Sequence, residues 1–314
     1  MNKLFTIITL LFISNTAVFA SETKGVITTI QPINALVNAV IGNTGGSTSL
    51  IPSEVSPHEF KLKPSDVKTL QDGNIIFYIS NHLESSITKV FKNLPKNIKI
   101  VNLMEETGIN HLAIRDNEAW ERHDHHDDHD KHAKKDDDHD DHEKEDDVHI
   151  WLDPDNAIKI IQKVNKELSL LFPENSQIYN KNATNITNKI TELKSELKEE
   201  LLSIKDKPYI VFHDAYQYFE KVFGLNAVGS IALEDDVATS PKQISYIRNK
   251  IIKSNVSCVF QEPQFDSKLV KTVVEGTDAK IGTLDPLGVD IANKKDFYLQ
   301  LLRNMSKSLK ECLG

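Results

Sequence analysis

An α/β fold with two lobes, each a mostly parallel sheet flanked by helices and the two joined by one long rigid linker helix, is predicted by three observations. Short β-rich runs alternate with helix-length amphipathic segments through the first half of the chain, and the same alternation restarts after residue 205. Between the halves lies a single long stripe of helical periodicity. The length of 314 residues fits, because single cores stop growing near ~250–300 residues.

The chain opens on Met1-Asn2-Lys3, an apolar run from Leu4 to Ile13, and small residues ending Ala17-Val18-Phe19-Ala20. A lone positive charge, a short apolar stretch and a small-residue cleavage point make residues 1–20 a secretory signal peptide, with a mature start near Ser21. The run is too short to span a membrane, which takes ~20 apolar residues. No cysteine stands at the cleavage point to carry a lipid, so a free periplasmic protein is expected.

In the first lobe, residues 21–172, the strands are expected at Val26–Ile30, Ser49–Ile51, Ile75–Ile79 and Ile98–Val101. Pro64-Ser65-Asp66 begins one helix and Glu84–Phe91 reads as another. The linker is residues 173–205. Its apolar positions Tyr179, Ala183, Ile186, Ile190, Leu193, Leu197, Leu201 and Ile204 recur every three or four residues, one face of a helix that Pro173 can open and Pro208 stops. About 30 residues at 1.5 Å make a rod of roughly 45 Å. Lobes joined by a rod move little, so a ligand held between them should be small. In the second lobe, residues 206–314, strands are expected at Tyr209–Phe212, Ala227–Ile231, Val256–Phe260 and Lys280–Leu284, with helices around Pro241–Ile252, Asp266–Glu275 and Lys295–Leu309.

Charge is distributed unevenly. The formal net charge is -9, yet residues 121–147 alone hold fourteen Asp/Glu against five Lys/Arg, leaving the rest balanced. Nothing forms the basic stripe that phosphates require, so a nucleic-acid partner is not expected. The segment has almost no apolar side chain and is expected to loop out of the first lobe without folding. It carries His123, His125, His126, His129, His132, His139 and His142, a density that solubility does not explain and that suits weak secondary metal sites.

Export makes the two cysteines informative, since an even count in an oxidising compartment suggests pairing. Cys258 lies in the expected strand Val256–Phe260 and Cys312 two residues from the last residue, so a disulfide pinning the terminal helix to the second sheet is expected, the alternative being two separate buried thiols.

Five histidines lie outside the insertion. His58, His149 and His213 fall at or near strand ends, as does Asp285, and in open α/β sheets ligands bind beyond the carboxyl ends of strands. His82 and His111 match no ligand motif and read as ordinary residues. Asp153-Pro154 and Asp66 read as helix caps, Trp151 as core packing, and Asp214 as either a cap or an acceptor orienting a ligating imidazole.

The chain resembles the metal-binding family of ABC-importer solute-binding proteins, and within it the zinc-specific branch. The resemblance covers essentially the whole mature chain and rests on Pro57-His58 followed by Lys63-Pro64-Ser65-Asp66, His149-Ile150-Trp151-Leu152-Asp153-Pro154, Val211-Phe212-His213-Asp214-Ala215-Tyr216, Gln261-Glu262-Pro263-Gln264 and Asp285-Pro286-Leu287-Gly288. It implies that His58 and His149 from the first lobe and His213 from the second bind one metal in the interlobe cleft. Three neutral imidazoles suit four-coordinate Zn²⁺. Manganese relatives carry a carboxylate where His213 stands, so Mn²⁺ fits less well. Some zinc relatives place a glutamate before the first histidine, but here that residue is Pro57. The fourth ligand is therefore Asp285, Glu59 or a water, with Asp285 preferred because it matches a carboxylate ligand elsewhere in the family.

The function so implied is non-catalytic: a monomer that captures periplasmic Zn²⁺ and delivers it to an inner-membrane ABC permease driven by a cytoplasmic ATPase. A zinc hydrolase is the alternative from another class, since three histidines and an open position also make a catalytic site. It lacks a His-Glu-x-x-His motif to support it. A passive zinc buffer or adhesin is the third reading.

Overall fold

A computed structural model describes residues 22–115, 145–232, 240–292 and 295–314. Residues 1–20, expected to be a signal peptide, and the seven histidines of the insertion lie outside the described residues.

Strand β1 (Thr23–Thr28), helix α1 (Gln31–Ile41), β2 (Gly45–Ser49), α2 (Pro64–Gln71), β3 (Ile75–Tyr78), α3 (Ser85–Phe91) and β4 (Lys99–Asn102) build the first lobe, completed by α4 (Pro154–Leu171). Helix α5 (Ser176–Leu201) leads to β5 (Tyr209–Val211), α6 (Gln217–Phe223), β6 (Ala227–Ser230), α7 (Pro241–Lys253), β7 (Cys258–Gln261), α8 (Lys268–Val274), β8 (Lys280–Thr283) and α9 (Phe297–Leu313). The sheets run β2-β1-β3-β4 and β6-β5-β7-β8, every pair parallel. Both lobes thus repeat one strand order. The chain leaves its first strand to one side and returns on the other, which opens a crevice at the strands' carboxyl ends.

Helix starts follow local chemistry. Asp153 caps α4 by accepting from Asp155 N at 2.7 Å with Pro154 in the first turn, and Ser240 caps α7 through Gln243 N. Asp66 accepts from Lys63 N at 2.8 Å at the start of α2. Helix α1 is not among the expected helices, although Ile33, Leu36, Val37, Val40 and Ile41 recur at i, i+3, i+4, i+7 and i+8 and so give the sequence an amphipathic period there. Seven-residue α6 is too short to show one.

The linker stripe is buried as expected, from Tyr179 to Leu201 and on to Ile204. Burial of each aliphatic side chain there is worth roughly 1.5–3 kcal/mol. The helix itself is shorter than the 173–205 span, since Pro173–Asn175 form a 3-10 turn and the α-helix runs only from Ser176 to Leu201. Helix α5 packs on α1 and α4, and α9 packs on α1, α5 and β8. Cys258 and Cys312 are disulfide-bonded, their Cα atoms 6.0 Å apart, so the C-terminal helix is covalently tied to β7. Gly282 on β8 leaves the space this takes: a Cβ there would lie 2.5 Å from the Phe260 ring and 3.1 Å from Cys258 Sγ.

The insertion ends earlier than its charge suggests. Residues 145–147 belong to the folded body: Asp146 bridges antiparallel to Ala113, Asp147 N donates to Leu112 O at 2.7 Å, and Asp147 is buried.

Candidate metal centre

Three histidines meet where the carboxyl ends of the two sheets face each other. His58 sits on the irregular segment between β2 and α2, half-buried. That segment is held by Ser86 Oγ donating to Phe60 O at 2.6 Å and, from the other lobe, Gln264 Nε2 donating to Ser53 O at 3.0 Å. His149 immediately precedes the 3-10 turn Ile150–Leu152 that runs into α4, and His213 lies two residues past β5; both are buried.

The imidazoles are oriented from behind. His149 Nδ1 lies 2.7 Å from Asp147 Oδ1, which also accepts from His149 N at 2.9 Å. His213 Nδ1 lies 2.7 Å from Glu262 Oε1, at the end of β7. A carboxylate can only accept, so each Nδ1 carries the proton and each Nε2 turns a lone pair inward. Gln217 Nε2 holds the other oxygen of Asp147 at 3.1 Å.

Inside, His149 Nε2 is 3.4 Å from His58 Nε2 and 3.3 Å from His213 Nε2, and one ligand atom of each residue lies within 4.8 Å of the others. Two lone pairs aimed at each other repel unless a cation sits between them. Ligands about 2.0–2.1 Å from a tetrahedral Zn²⁺ stand about 3.3–3.4 Å apart, which is the spacing found. The void enclosed is about 10 Å³, walled by Ser56, Pro57, Trp151, Phe265 and Leu287. Trp151 packs 5.3 Å from the His149 ring, with its Nε1 donating to Pro286 O at 2.9 Å. It is core, as expected.

Asp285 is not brought into this group. Its Oδ1 accepts from Leu287 N, Gly288 N and Gln264 Nε2 at 2.8–3.1 Å, and its Oδ2 from Val289 N at 2.6 Å. A carboxylate after the last strand is here the staple of the following turn, and Gly288, at φ 76°, lets that turn close. Glu59 is exposed, beside Lys61 and Lys63 on a neighbouring groove.

Asp214 does not orient an imidazole either. It pairs with Arg115, whose Nη1 also donates to Glu220 Oε2 at 2.7 Å. Burial pushes the Asp214 carboxyl up and Glu220 up to about 7, with Arg115 opposing both. The acceptors that sequence reasoning missed are Asp147 and Glu262. A carboxylate two residues before His149, and one closing a strand beside the His213 strand, were the available signals.

The family model of ZnuA, the periplasmic component A of the zinc-uptake complex, matches residues 26–312. The chain is 40% identical to the high-affinity zinc uptake system protein ZnuA of Brucella suis biovar 1 over 94% of this chain and 93% of that protein. It is 34% identical to the corresponding protein of Haemophilus ducreyi over 98% of each. Among solved structures, a ZnuA crystal structure superposes with a TM-score of 0.76 at 20% identity, covering 94% of this chain and all of the other. The laminin-binding adhesin of Streptococcus agalactiae gives 0.75 at 23% identity, covering 93% of this chain and all of that one. Those two show a shared fold, while the family match and the 40% relative show descent: this chain belongs to the ZnuA family of periplasmic zinc-uptake components.

Proposed function

We propose that the chain is a periplasmic zinc-binding protein that captures Zn²⁺ on His58, His149 and His213 and hands it to an ABC permease in the inner membrane, whose cytoplasmic ATPase drives import. The observation that carries this is the pair of Nε2–Nε2 spacings, 3.3 and 3.4 Å, around a void of about 10 Å³. Ligand pockets for organic molecules run to hundreds of Å³. A void this small between the three imidazoles suits a single ion, which favours a binder over a hydrolase. Asp147 and Glu262 supply two negative charges behind the imidazoles, matching a divalent cargo. Named relatives are zinc uptake proteins, which supports zinc and delivery to an importer. Among the described residues no helix is long and apolar enough to cross a membrane.

For the fourth coordination place, Asp285 is the carboxylate that family resemblance prefers, but its oxygens already hold the 285–289 turn. We therefore place a water there, with Asp285 as the turn's staple. The test is metal analysis and competitive titration of the mature protein beside the His58→Ala/His149→Ala/His213→Ala variant. Wild type should carry one tightly held zinc per chain and the variant none; a tight zinc retained by the variant refutes the site. Because protons compete for ligating imidazoles, affinity should fall between about pH 7.5 and about pH 5.5. Co-purification with the permease distinguishes a transport component from a passive zinc buffer.

A further inference from the structure

A second group of metal-ligating side chains lies outside the cleft. An open pocket of about 470 Å³ beyond β3 and β4 is lined by His82, His111, Glu105, Glu145 and Asp146. It stands where the insertion joins the folded body, because Ala113 and Asp146 form the bridge that closes the insertion's base, and Ile114 N donates to Glu145 O at 2.9 Å.

The arrangement around His111 repeats that of the cleft. His111 Nδ1 lies 2.8 Å from Asp146 Oδ2, as His149 Nδ1 lies 2.7 Å from Asp147 Oδ1. The adjacent residues Asp146 and Asp147 thus each fix one imidazole, one on the pocket side and one on the cleft side. The carboxylate again leaves Nε2 of His111 as a lone pair for a cation, the arrangement that ligating histidines have in metalloproteins. His82 Nδ1 is 3.8 Å from Glu145 Oε2, and Glu105 Oε1 accepts from Asn102 Nδ2 at 2.8 Å. As a structural ion pair the exposed His82–Glu145 couple contributes little. Together these side chains put two imidazoles and three carboxylates around one opening.

We propose that this pocket is a second, weaker site for a divalent ion of the zinc class, with His111 and His82 as nitrogen ligands and Glu105 or Glu145 as an oxygen ligand. Two nitrogens and a carboxylate suit Zn²⁺. Among the described residues only the cleft histidines gather three ligand atoms within 4.8 Å, so the outer site must be drawn together by its ion. Exposed side chains that pay for this ordering give a low-affinity, rapidly exchanging site. Such a site at the base of a histidine-rich insertion can take an ion arriving there before the cleft does.

The test is NMR of the histidine ring C–H signals in the full mature chain, titrated with Zn²⁺ past saturation of the insertion. The first equivalent should move the His149 and His213 signals. Excess zinc should then move His82 and His111 together, with a midpoint at least tenfold weaker than the cleft's. In His111→Gln, the His82 response should vanish while the His149 response stays. Excess zinc leaving His82 and His111 unmoved overturns the proposal, and so does an unchanged His82 midpoint in His111→Gln. Failure of the cleft reading would show separately, as no response of His149 and His213 to the first equivalent.

Discussion

Replacing Glu262 by glutamine tests whether the carboxylates behind the imidazoles tune the metal. The substitution keeps shape and leaves an amide oxygen able to accept from His213 Nδ1, so only the charge is removed. Glu262 Oε1 stands 2.7 Å from Nδ1, which places an ion on the far side of the ring about 6–7 Å away. A divalent cation and a single negative charge at that distance attract by about 1 kcal/mol at the dielectric of water and about 5 kcal/mol at an effective constant of 20. Residues that orient metal-bound histidines are typically worth 10–100-fold in affinity, which is ~1.4–2.7 kcal/mol and falls inside those bounds. Glu262→Gln should therefore weaken zinc binding by about 10–100-fold at neutral pH. Competition against a calibrated chelating indicator measures it, with thermal melting of the metal-free variant as control for folding. Asp147→Asn should behave alike through His149. A loss below about threefold in both variants, under ~1 kcal/mol, would refute charge compensation as the role of these residues.

Three further outcomes follow from the same structure. Burial pushes the Glu84 carboxyl from 4.5 up to about 7 against hydrogen bonds from Thr29, Ile79 and Ser80. A folded value above the unfolded one means stability present below about pH 4.5 is lost as pH rises through about 7, by about 3 kcal/mol. Urea denaturation of the metal-free protein at pH 5 and pH 8 should show this slope, and Glu84→Gln should flatten it; an equal slope in both proteins contradicts the assignment. Cys258→Ser/Cys312→Ser opens a loop of 54 residues and should cost about 4 kcal/mol of stability by denaturant titration, while zinc affinity, set elsewhere, stays put. Asp285→Ala should leave zinc affinity within about threefold but cost ~1–3 kcal/mol of stability through the turn's lost hydrogen bonds; a tenfold or greater loss of affinity would restore Asp285 as the fourth ligand.

Much of this architecture is legible in the sequence alone. Most strands are readable because parallel strands buried on both faces are short apolar runs, and the linker because its stripe keeps one period over seven turns; β2, Gly45–Ser49, has no apolar residue and meets the expected Ser49–Ile51 only at Ser49. His58, His149 and His213 stood out by position at strand ends. Asp285 occupies an equally good position, but there its oxygens hold the 285–289 turn, because a carboxylate after a strand can serve a metal or a tight turn through the same oxygens. Asp147 was hidden in a charged run whose composition signals an unfolded loop, although the bridge at Asp146 returns its last residues to the body. Arg115 reaches Asp214 and Glu220 about a hundred positions away, and no local pattern announces a pairing of that range.

The position of α9 bears on how this molecule comes apart. One continuous apolar cluster runs from the first sheet through α1, α4 and α5 into Phe297, Leu301, Leu302 and Met305 of α9, and on to Tyr209, Phe219 and Phe260 of the second lobe. Among the described residues, only the outer layer of that lobe, where Ile247, Ile251, Val270 and Val273 meet Ile210 and Val259, forms a separate cluster. The cooperative unit therefore does not coincide with a lobe. Heating is expected to melt the first lobe, the rod and the inner half of the second lobe together, with α7 and α8 opening first, and hydrogen exchange faster in α7 and α8 than in α9 would show it. What shape divides in two, thermodynamics divides into a large body and a thin shell.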